Sequence, residues 1–337
     1  GNLQSLSVEY ATALNSLVGL RDIASLTSFS ADNSGLSDLS NLRALPALTS
    51  ISLQHCDQLK DASPLGLLSK LQNANLTNSA VTTLPQGWSG PVSQLILKDC
   101  HGLTSLGVLP ANLVKIVCDE SEGLRQLDGM QMCNKLEVIS VQSCPELKEM
   151  GTPPASVREI QARGCKKLTT LQGLQNCPLL EIVGIPMSIL DVKALDNLPT
   201  ITLALDIHEL GKPKTKGELV TMSRPFIEAI NSLPAVKLRL KGPSGSWYNT
   251  REFDLKVFGE FKTVQSLQFD EFDFSCNIEE MTWLVQMQKL ESLTFYSRGN
   301  MSHILDGGVF DSPRKVKALQ LKICQIAKIN PPTHVVG

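Results

Sequence analysis

What the chain lacks narrows the possibilities first. No stretch of about 18 apolar residues occurs, so no segment of the sequence is built to cross a bilayer as a helix. Aromatic residues make up only 5% of the chain while apolar residues make up 42%, so any core must be built mainly from Leu, Ile and Val. Neither charge sign dominates: Lys plus Arg (31) nearly balances Asp plus Glu (33), and a net charge of -2 gives no electrostatic reason to expect nucleic acid or an anionic membrane as a partner. Nine cysteines is an odd number, sparse for 337 residues, and none forms a C-x-x-C pair. A disulfide scaffold is therefore disfavoured, and reduced thiols in an intracellular compartment are expected. Glycine-rich phosphate loops are absent, and the opening Gly1-Asn2-Leu3-Gln4 has neither a basic segment nor an apolar run, so no secretion signal is expected.

What is present is a period. The chain is longer than a single compact core usually grows, which leaves two domains or a repeat array. The pattern L-x-x-L-x-L-x-x-(N/C) stands out in Leu48-x-x-Ile51-x-Leu53-x-x-Cys56, Leu136-x-x-Ile139-x-Val141-x-x-Cys144 and Val157-x-x-Ile160-x-Ala162-x-x-Cys165. Extended both ways, first positions fall at 3, 26, 48, 71, 92, 113, 136, 157, 180, 200, 235, 264, 290 and 316. The spacing is 20 to 23 residues up to position 200, then 35, 29, 26 and 26. A longer period overlies it, because 48, 92, 136 and 180 are each 44 apart, and Leu127-Asp128-Gly129 recurs as Leu171-Gln172-Gly173.

The ninth column carries the most specific signal. It reads Ala11, Ser34, Cys56, Ser79, Cys100, Ser121, Cys144, Cys165, Ser188, His208, Pro243, Phe272, Arg298 and Cys324. Five of the nine cysteines share this column, and serines fill most of its gaps. Side chains there are expected to turn inward and bond backbone groups that a turn leaves unpaired.

That distribution resembles the leucine-rich repeat superfamily in its cysteine-containing form, across essentially the whole chain. Leu109-Pro110-Ala111-Asn112-Leu113 and Pro153-Pro154-Ala155-Ser156-Val157 resemble the repeats of bacterial effectors delivered into host cells. Val141-Gln142-Ser143-Cys144-Pro145-Glu146-Leu147 is similar to the repeat region of plant intracellular immune receptors. The resemblance implies an α/β fold: a right-handed solenoid with a concave parallel β-sheet. One solenoid over 1–337 is expected, with short irregular or 3-10 convex segments to about residue 210 and helical ones after it.

Within the later part, Phe226, Ile227, Ile230 and Leu233 recur at helical spacing behind Ser223 and Pro225, which suit a helix start. Met281, Leu284, Val285 and Gln288 suggest a second helix. Gly211 to Gly217 reads as a loop between the two repeat styles.

Strand alternation puts the third, fifth and seventh residues of each repeat on the open face of the sheet. The early repeats offer small polar residues there, such as Ser28, Ser30, Ser50, Ser52, Asn73 and Asn75. The middle repeats bring Ile96, Val117 and Val138 into a slanted apolar row, joined by Lys98, Lys115, Arg163 and Ile182. Lys237, Arg239 and Lys241 make one basic repeat between Asp206 and Asp270. These ten residues, from Ile96 to Lys241, are the candidate contacts for a protein partner, since contiguous exposed apolar area with charged flanks often marks an interface. Strand propensity and local charge pairing are the competing explanation for them.

Chemistry is harder to find. His55-Cys56 and Cys100-His101 invite a metal reading, but the two pairs are separated by two repeats and each cysteine already belongs to the ninth column. Cys144 and Cys165 lie on neighbouring repeats within bridging reach, with buried reduced thiols as the favoured state. Cys133 and Cys177 occupy matched linker positions, Cys118 falls at an inward apolar position, and Cys276 has no histidine near it in sequence. No catalytic residue, metal site or cofactor is expected. The expected role is non-enzymatic protein recognition by a monomer; the alternative is the substrate-recognition part of a larger enzyme, such as an effector ubiquitin ligase, or the sensing region of an immune receptor.

Overall fold

The computed structural model describes residues 2–20, 23–211, 219–242, 253–272, 283, 286–297 and 318–323. Among the described residues, fourteen parallel strands follow one another in chain order in a single sheet. The first nine are three residues long: β1 (Ser5–Ser7), β2 (Ser28–Ser30), β3 (Ser50–Ser52), β4 (Asn73–Asn75), β5 (Gln94–Ile96), β6 (Lys115–Val117), β7 (Val138–Ser140), β8 (Glu159–Gln161) and β9 (Ile182–Gly184). The rest are longer: β10 (Ile201–Asp206), β11 (Val236–Lys241), β12 (Val264–Phe272), β13 (Ser292–Ser297) and β14 (Ala318–Ile323). The third residue of each repeat pairs with the third residue of the next, from Ser5 against Ser28 to Ser292 against Ala318. The fourteen positions counted from sequence thus correspond to fourteen rungs of a leucine-rich repeat solenoid.

Why these residues stack is a matter of burial. In the rung at 48, Leu48, Ile51, Leu53 and Cys56 are each at most 2% exposed, and the same four columns recur rung after rung. No rung can cover that apolar edge alone, so each stabilises its neighbours. The return path of the short rungs carries 3-10 turns at Val18–Leu20, Ser40–Ala44, Ser63–Leu67, Met130–Met132, Leu174–Asn176 and Lys193–Leu195. Twenty or so residues leave no room there for a full helix. A glycine column of period 22 runs beneath them: Gly107, Gly129, Gly151 and Gly173 all have positive φ. A Cβ on Gly129 would stand 1.5 Å from the Gly107 carbonyl oxygen, so the rungs can approach this closely only without a side chain.

Beyond residue 210 the expected helix appears as α1 (Arg224–Ser232), with Ser223 at its N-cap position and Phe226, Ile227 and Ile230 buried. A further 3-10 turn covers Leu255–Glu260. The apolar filling changes here from leucine to aromatics, with Phe258 against Phe269, Phe261 and Trp283, and Phe269 stacked on Phe295. The loop from Lys212 to Gly217, the Met281, Leu284 and Val285 part of the second helix, Cys276, and the ninth-column Pro243, Arg298 and Cys324 lie outside the described residues.

Each early rung ends in the same turn. The eighth residue, from Tyr10 through Asn33, His55, Asn78, Asp99, Glu120 and Ser143, takes φ between 52° and 61°, and Gly164 takes 77°. Four of those eight are Asn, Asp or Gly, the types that tolerate the left-handed region best. In the first seven of these turns the eighth N–H donates to the seventh carbonyl of the next rung at 2.7 to 2.9 Å. The reversal swings the ninth side chain inward. Ser34, Ser79 and Ser121 are 0 to 5% exposed, and Cys56, Cys100, Cys144 and Cys165 are fully buried.

There the side chains do what the unpaired backbone requires. The thiols of Cys56, Cys100, Cys144 and Cys165 donate to the sixth carbonyl of the preceding rung, those of Ala31, Leu76, Cys118 and Val141, at 2.9 to 3.3 Å. Ser121 Oγ donates to the Leu97 carbonyl at 3.0 Å and accepts from the Cys100 N–H at 3.2 Å.

The column stops where the ninth-position expectation fails. Ser188 and His208 are exposed rather than inward, and Ile189 and Ile207 fill the interior instead. For Ser188 the reason lies one and two residues earlier. Pro186 occupies the seventh position and Met187 the eighth, and Met187 is not in the left-handed region, so the chain does not reverse and the ninth side chain stays outside.

Candidate partner-binding face

The open face is built from three rows of side chains on strands about 4.8 Å apart. Much of it is bonded to itself. Asp32 accepts from Ser52 Oγ at 2.7 Å, from the Gln54 N–H at 2.8 Å and from Gln54 Nε2 at 2.9 Å. Asp119 repeats the arrangement with Ser140 Oγ at 2.7 Å, the Gln142 N–H at 2.8 Å and Gln142 Nε2 at 3.4 Å. Each clasp joins the seventh residue of one rung to the fifth and seventh of the next, and the two sit four rungs apart. Glu9 does similar work at the start, accepting from Ser7 at 2.9 Å.

Between the clasps lies an apolar pair. Ile96 on β5 and Val117 on β6 are register partners, and both are half-buried. Val138 does not continue their row. Its register partner is Lys115, so it stands diagonally from Val117, and the fifth residue of β7 is the buried Ser140. Lys98 Nζ meets Glu120 Oε1 at 3.0 Å, and that bond holds its ammonium above the ordinary lysine range. Lys115 is exposed and forms no ion pair with another described residue.

Further along, the face becomes shallower than its strand positions imply. Gly184, Pro186 and Ala204 are buried although they occupy fifth and seventh positions. Gln161 folds over Gly184, where a Cβ would lie 2.2 Å from its Oε1. Arg163 Nη2 donates to Gln142 Oε1 at 2.8 Å, while Arg163 Nε and Gln161 Oε1 are buried with no partner. Ile182 sits between Glu159 and Thr202 in register and is half-buried.

The basic rung is separate from this group by one strand. Lys237, Arg239 and Lys241 on β11 stand in register with Thr202, Ala204 and Asp206 on one side and with Ser266, Gln268 and Asp270 on the other. Arg239 Nε donates to Asp270 Oδ2 at 2.5 Å, and Gln268 Nε2 donates to the other oxygen at 2.8 Å. Among the described residues, then, Lys237 is the exposed cation of this rung whose register neighbours are uncharged. The ten candidates divide into seven on the rungs at 92 to 180 and three on the rung at 235.

Sequence reading missed what borders the face. A groove of about 640 Å³ runs beyond the strand ends, lined by Asp99, His101, Glu120, Gln142, Arg163, Lys166, Asp206, His208 and Glu209 among others. A second groove of about 430 Å³ shares Lys166 and Glu209 and continues to Met187, Met222 and Phe226. Glu209 forms the wall between them. Its Oε1 accepts from the Gly164 N–H at 2.6 Å and its Oε2 from the Met187 N–H at 2.9 Å. One carboxylate therefore bridges three rungs and supplies the acceptor that the irregular turn at Pro186 does not. Burial raises its pKa above the ordinary 4.5, outweighing the two N–H donors that lower it.

Five of the seven described thiols are held protonated by burial, while a hydrogen bond between the other two lowers the pKa of Cys144 and raises that of Cys165. Burial lifts Cys56, Cys100 and Cys118 above the usual thiol value and takes Cys133 and Cys177 to about 11. Among the described residues no group of three or more His, Cys, Asp or Glu is arranged to hold a metal ion, and no helix is long and apolar enough to cross a membrane.

No family profile matches the sequence, and no curated protein does either. Similar solved structures include an internalin from Listeria monocytogenes, 17% identical, covering 86% of this chain and 86% of that one with a TM-score of 0.42. A leucine-rich repeat protein from Leptospira interrogans is 14% identical over 87% of this chain and 84% of its own, with a TM-score of 0.31. Another from Bacteroides ovatus is 10% identical over 95% and 92%, with a TM-score of 0.23. The fold assignment stands on the rungs themselves.

Proposed function

We propose that this leucine-rich repeat solenoid is a non-enzymatic recognition scaffold that seats a protein partner on the open face of its sheet. The observation that carries the reading is the in-register pair Ile96 and Val117, half-exposed on a face whose neighbouring polar side chains are already bonded to one another. Apolar side chains left facing outward between self-satisfied polar clasps are suited to a desolvated contact, with Lys115, Val138 and Ile182 beside them as its margin. Lys98 and Arg163 belong to the same margin but already have internal partners. Lys237, Arg239 and Lys241 form a second, basic contact with one strand between it and Ile182, suited to an acidic segment of the partner. The same reading takes the protein as a monomer that works inside a cell.

Affinity capture with quantitative mass spectrometry tests it. Ile96→Asp with Val117→Asp is expected to lower partner recovery by about 30-fold or more, since even one central contact residue contributes about 2 kcal/mol or more. Circular dichroism must show the fold intact. Full recovery by a folded double variant removes the central pair from the contact. Lys237→Glu is the clean probe of the basic rung, because Arg239 is committed to Asp270. Its effect should fade as salt is raised.

A further inference from the structure

The inward column alternates from Ser34 to Cys144: Ser34, Cys56, Ser79, Cys100, Ser121, Cys144. That alternation keeps its thiols two rungs, or roughly 10 Å, apart, beyond the Cα separation that a disulfide spans. Cys165 breaks it by following Cys144 directly. Register fixes the two as neighbours, since Ile139 pairs with Ile160 and each cysteine lies five residues further on. Adjacent strands stand about 4.8 Å apart, inside the disulfide window. Both side chains point the same way, because each thiol donates to a backbone carbonyl of the rung before it, at 3.1 and 2.9 Å.

The turn that covers Cys165 is also closed differently from the seven before it. Their eighth N–H groups are held by backbone carbonyls of the next rung, whereas the Gly164 N–H is held by the Glu209 side chain. Gly164 itself, at φ 77° and without a Cβ, can move with less steric hindrance than any other eighth residue in the series. The larger groove is lined by Ser143, Arg163, Gly164, Lys166 and Glu209, so it borders this turn directly, and its 640 Å³ exceeds what a molecule the size of hydrogen peroxide requires.

We propose that Cys144 and Cys165 are a modification site, oxidised by a hydroperoxide to a disulfide, with the Glu209 carboxylate holding shut the turn through which the oxidant enters. The Cys144 thiolate, which the hydrogen bond from Cys165 favours, attacks the peroxide oxygen, the O–O bond breaks, and a sulfenic acid and hydroxide form. The Cys165 sulfur, giving up its proton, then attacks the sulfenic sulfur, the S–S bond forms and a second hydroxide leaves. The two thiol protons convert the hydroxides to water, so two thiols and one peroxide give one disulfide and two waters. The two cysteines are oxidised and the peroxide is reduced.

The test treats the full chain with hydrogen peroxide near equimolar amounts and maps cross-linked peptides by mass spectrometry. A Cys144–Cys165 peptide is expected, with Cys56 and Cys100 still reduced. Cys144→Ser and Cys165→Ser should each abolish it, and both should fold, because serine already occupies this column at Ser34, Ser79 and Ser121. Glu209→Ala removes both acceptors from the turn and should speed cross-linking about tenfold. A bridge from Cys118 to Cys144, or over-oxidation of either Cys144 or Cys165 with no bridge, overturns the assignment. A Glu209→Ala chain that cross-links at the wild-type rate overturns the gating role.

Discussion

Ser121→Ala is the sharpest test of how the rungs are held together. The hydroxyl is fully buried, donates to the Leu97 carbonyl at 3.0 Å and accepts from the Cys100 N–H at 3.2 Å. Alanine fits the space but leaves one buried N–H and one buried C=O without partners. Each orphaned neutral group costs about 1–2 kcal/mol here, so a local loss of about 2–4 kcal/mol is expected. In a stacked array that loss is read best locally, by native-state hydrogen exchange. The Cys100 amide should lose protection by between about 30-fold and 1,000-fold, following the conversion of 1.4 kcal/mol per tenfold. Ser188→Ala is the internal control. That serine occupies the same column in sequence but is exposed, so its replacement should change stability by less than about 0.5 kcal/mol. Ser121→Cys should restore most of the protection, since four other rungs use a thiol for the same donation. Equal losses for Ser121→Ala and Ser188→Ala would refute the reasoning, because the inward turn would then not be what distinguishes them.

Two further outcomes follow from the face and its border. Asp32→Ala and Asp119→Ala should shift the urea unfolding profile to similar extents, each by about 2 kcal/mol, because both remove an acceptor bonded to a Ser hydroxyl and a Gln backbone N–H; a large effect at one and none at the other would break their equivalence. For Glu209 the sign of the pH dependence is set by its raised pKa: between 4.5 and the higher folded value the native state binds more protons than the unfolded chain, so its contribution to stability falls as pH rises through that window and is flat above it. Glu209→Gln should erase that slope in thermal melts taken across the window, and a slope that survives assigns it to other groups.

The fold was legible because its signal is repeated. Any one L-x-x-L-x-L run is ambiguous, but fourteen in succession, the first ten spaced by 20 to 23 residues, fix the strand register at every rung, and all fourteen third positions pair as the count predicts. Helix α1 was legible for the same reason on a smaller scale, through Phe226, Ile227 and Ile230 behind a Ser-x-Pro start. The ninth column was legible only as far as the turn before it was regular. Pro186 and Met187 were visible in the sequence as poor residues for a left-handed turn, and reading the eighth column as closely as the ninth would have predicted the outward Ser188. The site was less legible, because it depends on which side chains satisfy each other. The clasp formed by Asp119, Ser140 and Gln142 crosses 23 residues, and Glu209 reaches 45 residues back to Gly164. No local pattern encodes either distance until the register is known. The displacement of Val138 from the row of Ile96 was legible in principle, since third and fifth positions belong to different rows.

The hydrogen bonds that join one rung to the next all run along the length of the stack. A pull applied to its two ends therefore loads them in series, like links of a chain, and the weakest link sets the strength of the whole. At the Gly164 turn the backbone contact is replaced by a single acidic side chain that must grip two amides at once. Tension should part the protein there, into two blocks that each keep their own stacking.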